Sequence, residues 1–186
     1  MYKPLILKQQ LIEIMCLLLG ATGVGKTLLL KRLQKMCQVD SADLGEAPVT
    51  LPTVGTNLTD LTFRRKRITV RELGGCMGPI WPKYYLDCTS VIFMVDCANI
   101  SQISSSCIQM LSVLSAEPLQ AAAVLVLFNK RDLPCTMSLV ELKSLFRMDD
   151  IIRSAPQAIT ALEISARSGQ GLQDVLNWLF SNRSDT

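Results

Sequence analysis

The stretch that most narrows the folds open to this chain is Gly20-Ala21-Thr22-Gly23-Val24-Gly25-Lys26-Thr27. It satisfies the pattern G-x-x-x-x-G-K-[ST] at every fixed position, and such a loop has meaning only between a strand and a helix. Both neighbours are present. An apolar run from Ile14 to Leu19 precedes the loop, and LLLKRLQKMC follows with helical spacing. Gly20, Gly23 and Gly25 free the backbone to aim its N–H groups at phosphate oxygens. A helix opening near Lys26 adds the positive end of its dipole. In that setting Lys26 is expected at the β- and γ-phosphates, and the Thr27 hydroxyl on Mg²⁺. The competing reading, a chance glycine-rich turn, does not explain flanks of this kind. The loop predicts a bound nucleoside triphosphate and leaves base and purpose open.

At 186 residues the chain suits one domain with a substantial core. Hydrophobic residues make up 49% and charged residues 19%, which argues against disorder. A net charge of +3, from 19 basic and 16 acidic side chains, is too mild to point to nucleic acid or to a membrane. Seven cysteines (16, 37, 76, 88, 97, 107 and 135) show no C-x-x-C spacing, and there is no histidine. Structural zinc is therefore not expected, imidazole general-base chemistry is excluded, and the scattered thiols suit a reducing compartment. No apolar run reaches the roughly 20 residues that span a bilayer. The second residue is Tyr2 rather than an acylatable glycine, and SNRSDT is no prenylation box. The expected location is the cytoplasm, with at most peripheral contact with membranes.

Taken in order, residues 1–14 read as an N-terminal extension of undecided structure, and translation beginning at Met15 is one alternative. A helix is expected over 26–37, with Leu28, Leu29, Leu33 and Met36 on its buried side. Residues 38–54 read as a long loop, a feature usually tied to function in compact domains. LTDLTF (58–63) and RITVREL (67–73) read as two strands around the basic turn Arg64-Arg65-Lys66-Arg67, taken as a solvated hairpin tip in preference to a site for acidic partners. GGCMGP (74–79) breaks regularity. Strands are then expected at 91–96, 123–130 and 159–165, and helices at 103–116, 138–146 and 171–180. Trp81 and Trp178 read as packing residues.

Strands alternating with helices imply an α/β fold, a mostly parallel six-stranded sheet with helices on both faces and one antiparallel edge strand from the hairpin 58–73. The domain is expected over 15–182, with 183–186 as a tail. In such sheets the ligand lies at the carboxyl ends of the strands. The segments 20–27, 129–132 and 165–167 all follow strands and should converge there.

Asn129-Lys130-Arg131-Asp132 reads N-K-x-D. An aspartate in this place accepts two hydrogen bonds from N1–H and the exocyclic amine of guanine, whereas adenine would leave it unsatisfied. Asn129 and the stem of Lys130 can hold the loops and cover the base. Alone such a tetrapeptide more often marks a turn; about 100 residues after a P-loop it specifies the base. Ser165-Ala166-Arg167 fits a backbone N–H contact with the guanine oxygen, as third member of the set.

P-loop, N-K-x-D and S-A-R in this order resemble the small GTPases of the Ras superfamily, with the P-loop NTPase (G domain) fold. PTVGTN (52–57), Gly74-Gly75-Cys76, Pro79-Ile80-Trp81 and Tyr84-Tyr85 resemble its ADP-ribosylation factor (Arf/Arl) branch, over about residues 15–180. The resemblance implies GTP/GDP and Mg²⁺ as ligands. It implies Thr53 as the switch I threonine on Mg²⁺ and γ-phosphate, Gly75 as the switch II amide at the γ-phosphate, and Glu72 near the metal. Residues 50–57 and 72–85 would then bind effectors, with a GTPase-activating protein or exchange factor as regulators, and the protein would act as a monomer in membrane or ciliary traffic.

Three positions depart from that pattern. Cys76 stands where Arf proteins carry the glutamine that orients the attacking water. Glu72 replaces an aspartate, and Thr22 replaces a smaller or acidic residue beside the γ-phosphate. Switch II is also two residues shorter between Cys76 and Pro79. Two of the three aromatic residues that sense effectors are replaced, by Thr56 and Arg71; Tyr84 keeps the third place. Losing one placed polar group at a phosphoryl-transfer site costs roughly 10²–10³ in rate, so hydrolysis should be slow. The expectations are therefore a slow GTP-dependent switch, a GTP-bound scaffold without useful hydrolysis, or, against the N-K-x-D signal, a P-loop nucleotide kinase.

Overall fold

The computed structural model describes residues 15–38, 44–134 and 137–181. The expectations for 1–14, for Cys135 and for the tail lie outside these residues. Six strands form one sheet in the order β2-β3-β1-β4-β5-β6. They are β1 (Met15–Leu19), β2 (Thr56–Phe63), β3 (Lys66–Leu73), β4 (Ser90–Asp96), β5 (Ala123–Asn129) and β6 (Ile159–Glu163). Only β2, at the edge, runs antiparallel. The helices are α1 (Lys26–Gln38), α2 (Ile100–Leu114), α3 (Leu139–Phe146), α4 (Met148–Ser154) and α5 (Leu172–Ser181). This is the architecture expected from the alternating pattern.

The apolar runs behave as strands buried on both faces must, dividing their side chains by the period of two. Cys16, Leu18, Ile92, Met94, Leu125 and Leu127 pack on one side with α1 and α5 residues such as Leu29, Leu33, Val175 and Leu179. Leu17, Leu19, Phe93, Val95, Val126 and Phe128 pack on the other with Ile103 and Met110 of α2 and Phe146 of α3. On α1 the fully buried side chains are Lys26, Leu29, Leu30, Arg32 and Leu33, while Leu28 and Met36, expected there, are only half buried. The helix thus presents a face rotated from the expected one, and it carries a buried arginine.

Other differences have local causes. The first hairpin strand opens at Thr56, two residues earlier than expected, because Thr56 pairs with Leu73. Its turn contracts to Arg64 and Arg65, both left-handed (φ 50° and 66°), with Lys66 and Arg67 already in β3. Gly75–Asp87 winds as a 3₁₀ helix despite Pro79 and Pro82. Trp81 anchors it, its Nε1 donating to the Gly74 carbonyl (3.2 Å) and its ring meeting Phe93 edge-on. α4 had no counterpart in the sequence reading, since seven residues are too few for a helical period to show. It starts where Arg147 ends α3 in a left-handed cap (φ 51°).

Candidate functional site

Three strand ends meet as expected, and a side chain ties them together. Asn129, at the end of β5 and 2% exposed, donates from Nδ2 to the Val24 carbonyl (2.8 Å) and accepts at Oδ1 from Ala166 N–H (2.9 Å). One amide thus holds the P-loop and the S-A-R loop in register. Its approach explains Gly25. That residue has φ +101°, and a Cβ there would lie 2.6 Å from Asn129 Nδ2. Any other residue would be strained and would displace the asparagine.

Below this staple is a cavity of about 220 Å³ lined by Gly25, Leu28, Asn129, Lys130, Asp132, Leu133 and Arg167. Asp132 accepts from the buried Ser165 hydroxyl at Oδ1 (2.7 Å). A carboxylate offers about four lone-pair sites, so that bond orients Asp132 and leaves room for two donors from a base. Lys130 is left-handed (φ 70°), and its Nζ donates to Asp96 Oδ2 (2.6 Å) at the end of β4. In the segment Ser165-Ala166-Arg167, expected to offer a backbone N–H to the base oxygen, the Ala166 N–H is engaged by Asn129.

A second cavity, about 230 Å³, is lined by Thr22, Gly23, Gly25, Lys26 and Thr27 together with Thr50–Thr53, Glu72 and Gly75. Here the distant segments close. Glu72, 1% exposed at the end of β3, accepts at Oε1 from the hydroxyls of Thr27 (2.5 Å) and Thr53 (3.1 Å). The two hydroxyls are themselves 3.0 Å apart. Three oxygen donors on one point form the hard, anionic set that suits Mg²⁺. The parallel pairing of Leu18 with Glu72 brings this carboxylate beside the strand that feeds the P-loop.

Lys26 Nζ donates to the carbonyls of Gly20 (2.7 Å) and Ala21 (2.9 Å). Burial lowers its pKa to about 8, against the opposing pull of Glu72 and then of Cys76. A desolvated ammonium of this kind gains most from an incoming polyanion. Gly75 lies against the P-loop: a Cβ on it would sit 2.2 Å from Thr22 N and 2.4 Å from the Ala21 carbonyl carbon. Cys76 next to it is exposed.

The structure thus brings together all the expected phosphate, metal and base residues. Three residues, and the hydroxyl role of the already named Ser165, had escaped the sequence. Asp96 holds Lys130, the Ser165 hydroxyl steers Asp132, and Gln102 of α2 donates from Nε2 to the Thr22 carbonyl (3.3 Å). Arg32 is the third residue. Their partners come from remote segments, and only the aspartate closing VIFMVD and the arginine between Leu30 and Leu33 gave any sign. At the replaced aromatic patch, the Arg71 guanidinium lies 5.3 Å from the centre of the Tyr84 ring, a cation–π pair in place of aromatic stacking.

The model of the ADP-ribosylation factor family matches residues 3–183. The chain is 63% identical over 166 residues to human ADP-ribosylation factor-like protein 16, covering 89% of this chain and 84% of that protein. It is 33% identical over 169 residues to ADP-ribosylation factor-like protein 1 of Saccharomyces cerevisiae, covering 90% and 86%. Among solved structures, the Arl6 BBS3 small GTPase from Trypanosoma brucei with the bound nucleotide analogue GppNp superposes with a TM-score of 0.77. That match covers 91% of this chain and 96% of that one, and at 19% identity it speaks to the fold alone. The Asn129 staple, the cavity between the P-loop and Glu72, and these likenesses agree: the chain belongs to the ADP-ribosylation factor family of small GTPases.

Proposed function

We propose that the protein is a guanine-nucleotide-dependent switch that holds GTP with Mg²⁺ and hydrolyses it slowly when alone. One observation carries the reading: Thr27 of the P-loop, Thr53 of the first mobile segment and Glu72 beside the second meet within hydrogen-bonding distance. A triphosphate–Mg²⁺ complex supplies the charge that these oxygens and Lys26 would hold in place. Lys26 would exchange its two carbonyl acceptors for phosphate oxygens. The Gly75 amide would meet the γ-phosphate, and Asp132, held by Ser165, would select guanine. Exposed Leu51 and Val54 in the first segment, with Leu86 after the second, offer apolar surface that an effector would cover.

Slow hydrolysis rests on Cys76. A thiol is a weak donor and a weak acceptor, so the attacking water lacks a firm partner there. The same residue favours a second reading, a GTP-bound scaffold that turns over only when a partner supplies an arginine, worth about 10³–10⁵ in rate. Family membership leaves the nucleotide-kinase alternative without support. The setting we propose is cytoplasmic and monomeric, at the periphery of membranes or in ciliary traffic. Chromatography of the nucleotide released from purified protein tests the base, and bound adenine nucleotide would overturn it. Single-turnover hydrolysis of γ-labelled GTP tests the rate, and partner-free turnover matching an activated Ras-type enzyme would refute the role given to Cys76.

A further inference from the structure

We propose that Arg32 is a positioning residue that couples the loop reading the base to the segment leading into switch I. The inference rests on the guanine-nucleotide reading and extends it. Arg32 lies on α1 and is 2% exposed. Its Nε donates to the Ala166 carbonyl (3.3 Å) and its Nη2 to the Arg167 carbonyl (2.7 Å). Its Nη1 donates to the carbonyls of Leu44 (2.5 Å) and Gly45 (3.1 Å). One guanidinium therefore bridges two loops far apart in sequence, using four of its five N–H groups.

Each loop leads to one half of the nucleotide site. Ala166 is held by Asn129, and Arg167 lines the base cavity. Leu44 and Gly45 precede Thr50–Thr53, which line the phosphate cavity. Leu44 has two further anchors. Lys35 Nζ donates to its carbonyl (2.8 Å), and its side chain packs so closely on Gly169 that a Cβ there would lie 2.8 Å from Leu44 Cδ1.

A buried cation is tolerated only while its hydrogen bonds are made. The four carbonyls provide them only when both loops are seated, so lifting either loop strands the charge and loosens the other. Occupancy of the base cavity thereby favours an ordered approach to Thr53. Lysine cannot replace this bridge, because its three donors radiate from a single nitrogen. Methionine fills the space with no donor at all.

The test compares the full chain with R32M and R32K. Release of a fluorescent GDP analogue into excess GTP is timed with Mg²⁺ present. Cleavage by elastase, which cuts after small residues present in both loops, is mapped within 44–54 and within 165–171 by mass spectrometry at saturating nucleotide. R32M is expected to release nucleotide about 10- to 100-fold faster and to be cut faster in both loops, with R32K between it and the parent. A purely structural arginine would lower the melting temperature and leave both readouts unchanged at saturation. Release within twofold of the parent, or unchanged cleavage, overturns the proposal. If R32M does not fold, K35M is decisive, since it removes the exposed Lys35 bond to the Leu44 carbonyl and leaves the Leu44 packing on Gly169 and the base cavity unaltered. Faster cleavage at 44–54 with unchanged release overturns the coupling, and faster release supports it. A parent protein that binds no guanine nucleotide refutes the preceding reading instead, and cleavage of both loops in R32M then decides the link by itself.

Discussion

Gly75→Ala isolates the step that distinguishes a switch from a static nucleotide site. The added methyl carbon would lie 2.2 Å from Thr22 N, 2.4 Å from the Ala21 carbonyl carbon and 2.6 Å from Thr22 Cα. Carbon in ordinary contact sits at about 3.5–4.0 Å, so at least one ångström of movement is needed. The obstacle is P-loop backbone, already fixed by the Asn129 bond to Val24, so switch II must move instead. Overpacking of this kind costs about 1–3 kcal/mol, and this clash belongs at the upper end. Three kcal/mol is roughly a 150-fold loss of the closed form. A non-hydrolysable GTP analogue needs that form and should bind about 30- to 150-fold more weakly, whereas GDP affinity should change by less than about threefold. Fluorescence titration reports both, because Trp81 is anchored to the Gly74 carbonyl in the same segment. Equal losses for the two nucleotides would refute the reasoning, since switch II would then contribute nothing specific to the γ-phosphate. So would no loss at all.

Three further outcomes follow from the site. Asp132→Asn should weaken GTP binding by at least about 100-fold and raise the relative affinity for xanthine nucleotide, by competition assay; unchanged GTP binding would remove Asp132 from the base site. Cys76→Gln should speed single-turnover hydrolysis by about 10²-fold or more, and a rate equal to the parent would show that Cys76 is not the obstacle. Lys26 gives a pH signature. Burial lowers its pKa to about 8, and a polyphosphate beside it raises that value, so binding above pH 8 takes up a proton. Affinity should therefore fall as pH rises through about 8 to 9. Calorimetry at pH 8.5 in buffers of different ionisation enthalpy should show an uptake of up to about three-quarters of a proton, absent in Lys26→Met.

The parts of the site that were legible are those whose chemistry is local. The P-loop declares itself because glycines, lysine and threonine lie within eight positions, and a backbone nest needs them in that order. N-K-x-D is similar: from one short turn Asn129 staples the loops and Asp132 lines the cavity beside it. Thr53, Glu72 and Gly75 could be placed only by family likeness, since nothing in their own neighbourhoods marks them. Arg32, Gln102 and the Ser165 hydroxyl were missed for a sharper reason. Their roles consist of bonds to carbonyls or carboxylates on distant segments, and a donor's sequence does not name its acceptor.

Taken by itself, the sequence determined a doubly covered sheet of six strands, a P-loop motif after the first and an N-K-x-D turn, of the kind suited to guanine, after the fifth. Each follows from periodicity or from contiguous side chains. Tertiary structure decided whether the metal and γ-phosphate residues meet. That depends on register: Leu18 pairs with Glu72, and a slip of one residue would turn the carboxylate to the opposite face of the sheet. It depends also on Gly74 and Gly75 letting the chain pass within contact of Thr53 and Thr22. These are long-range distances set by packing of the whole sheet, and only the folded chain contains them.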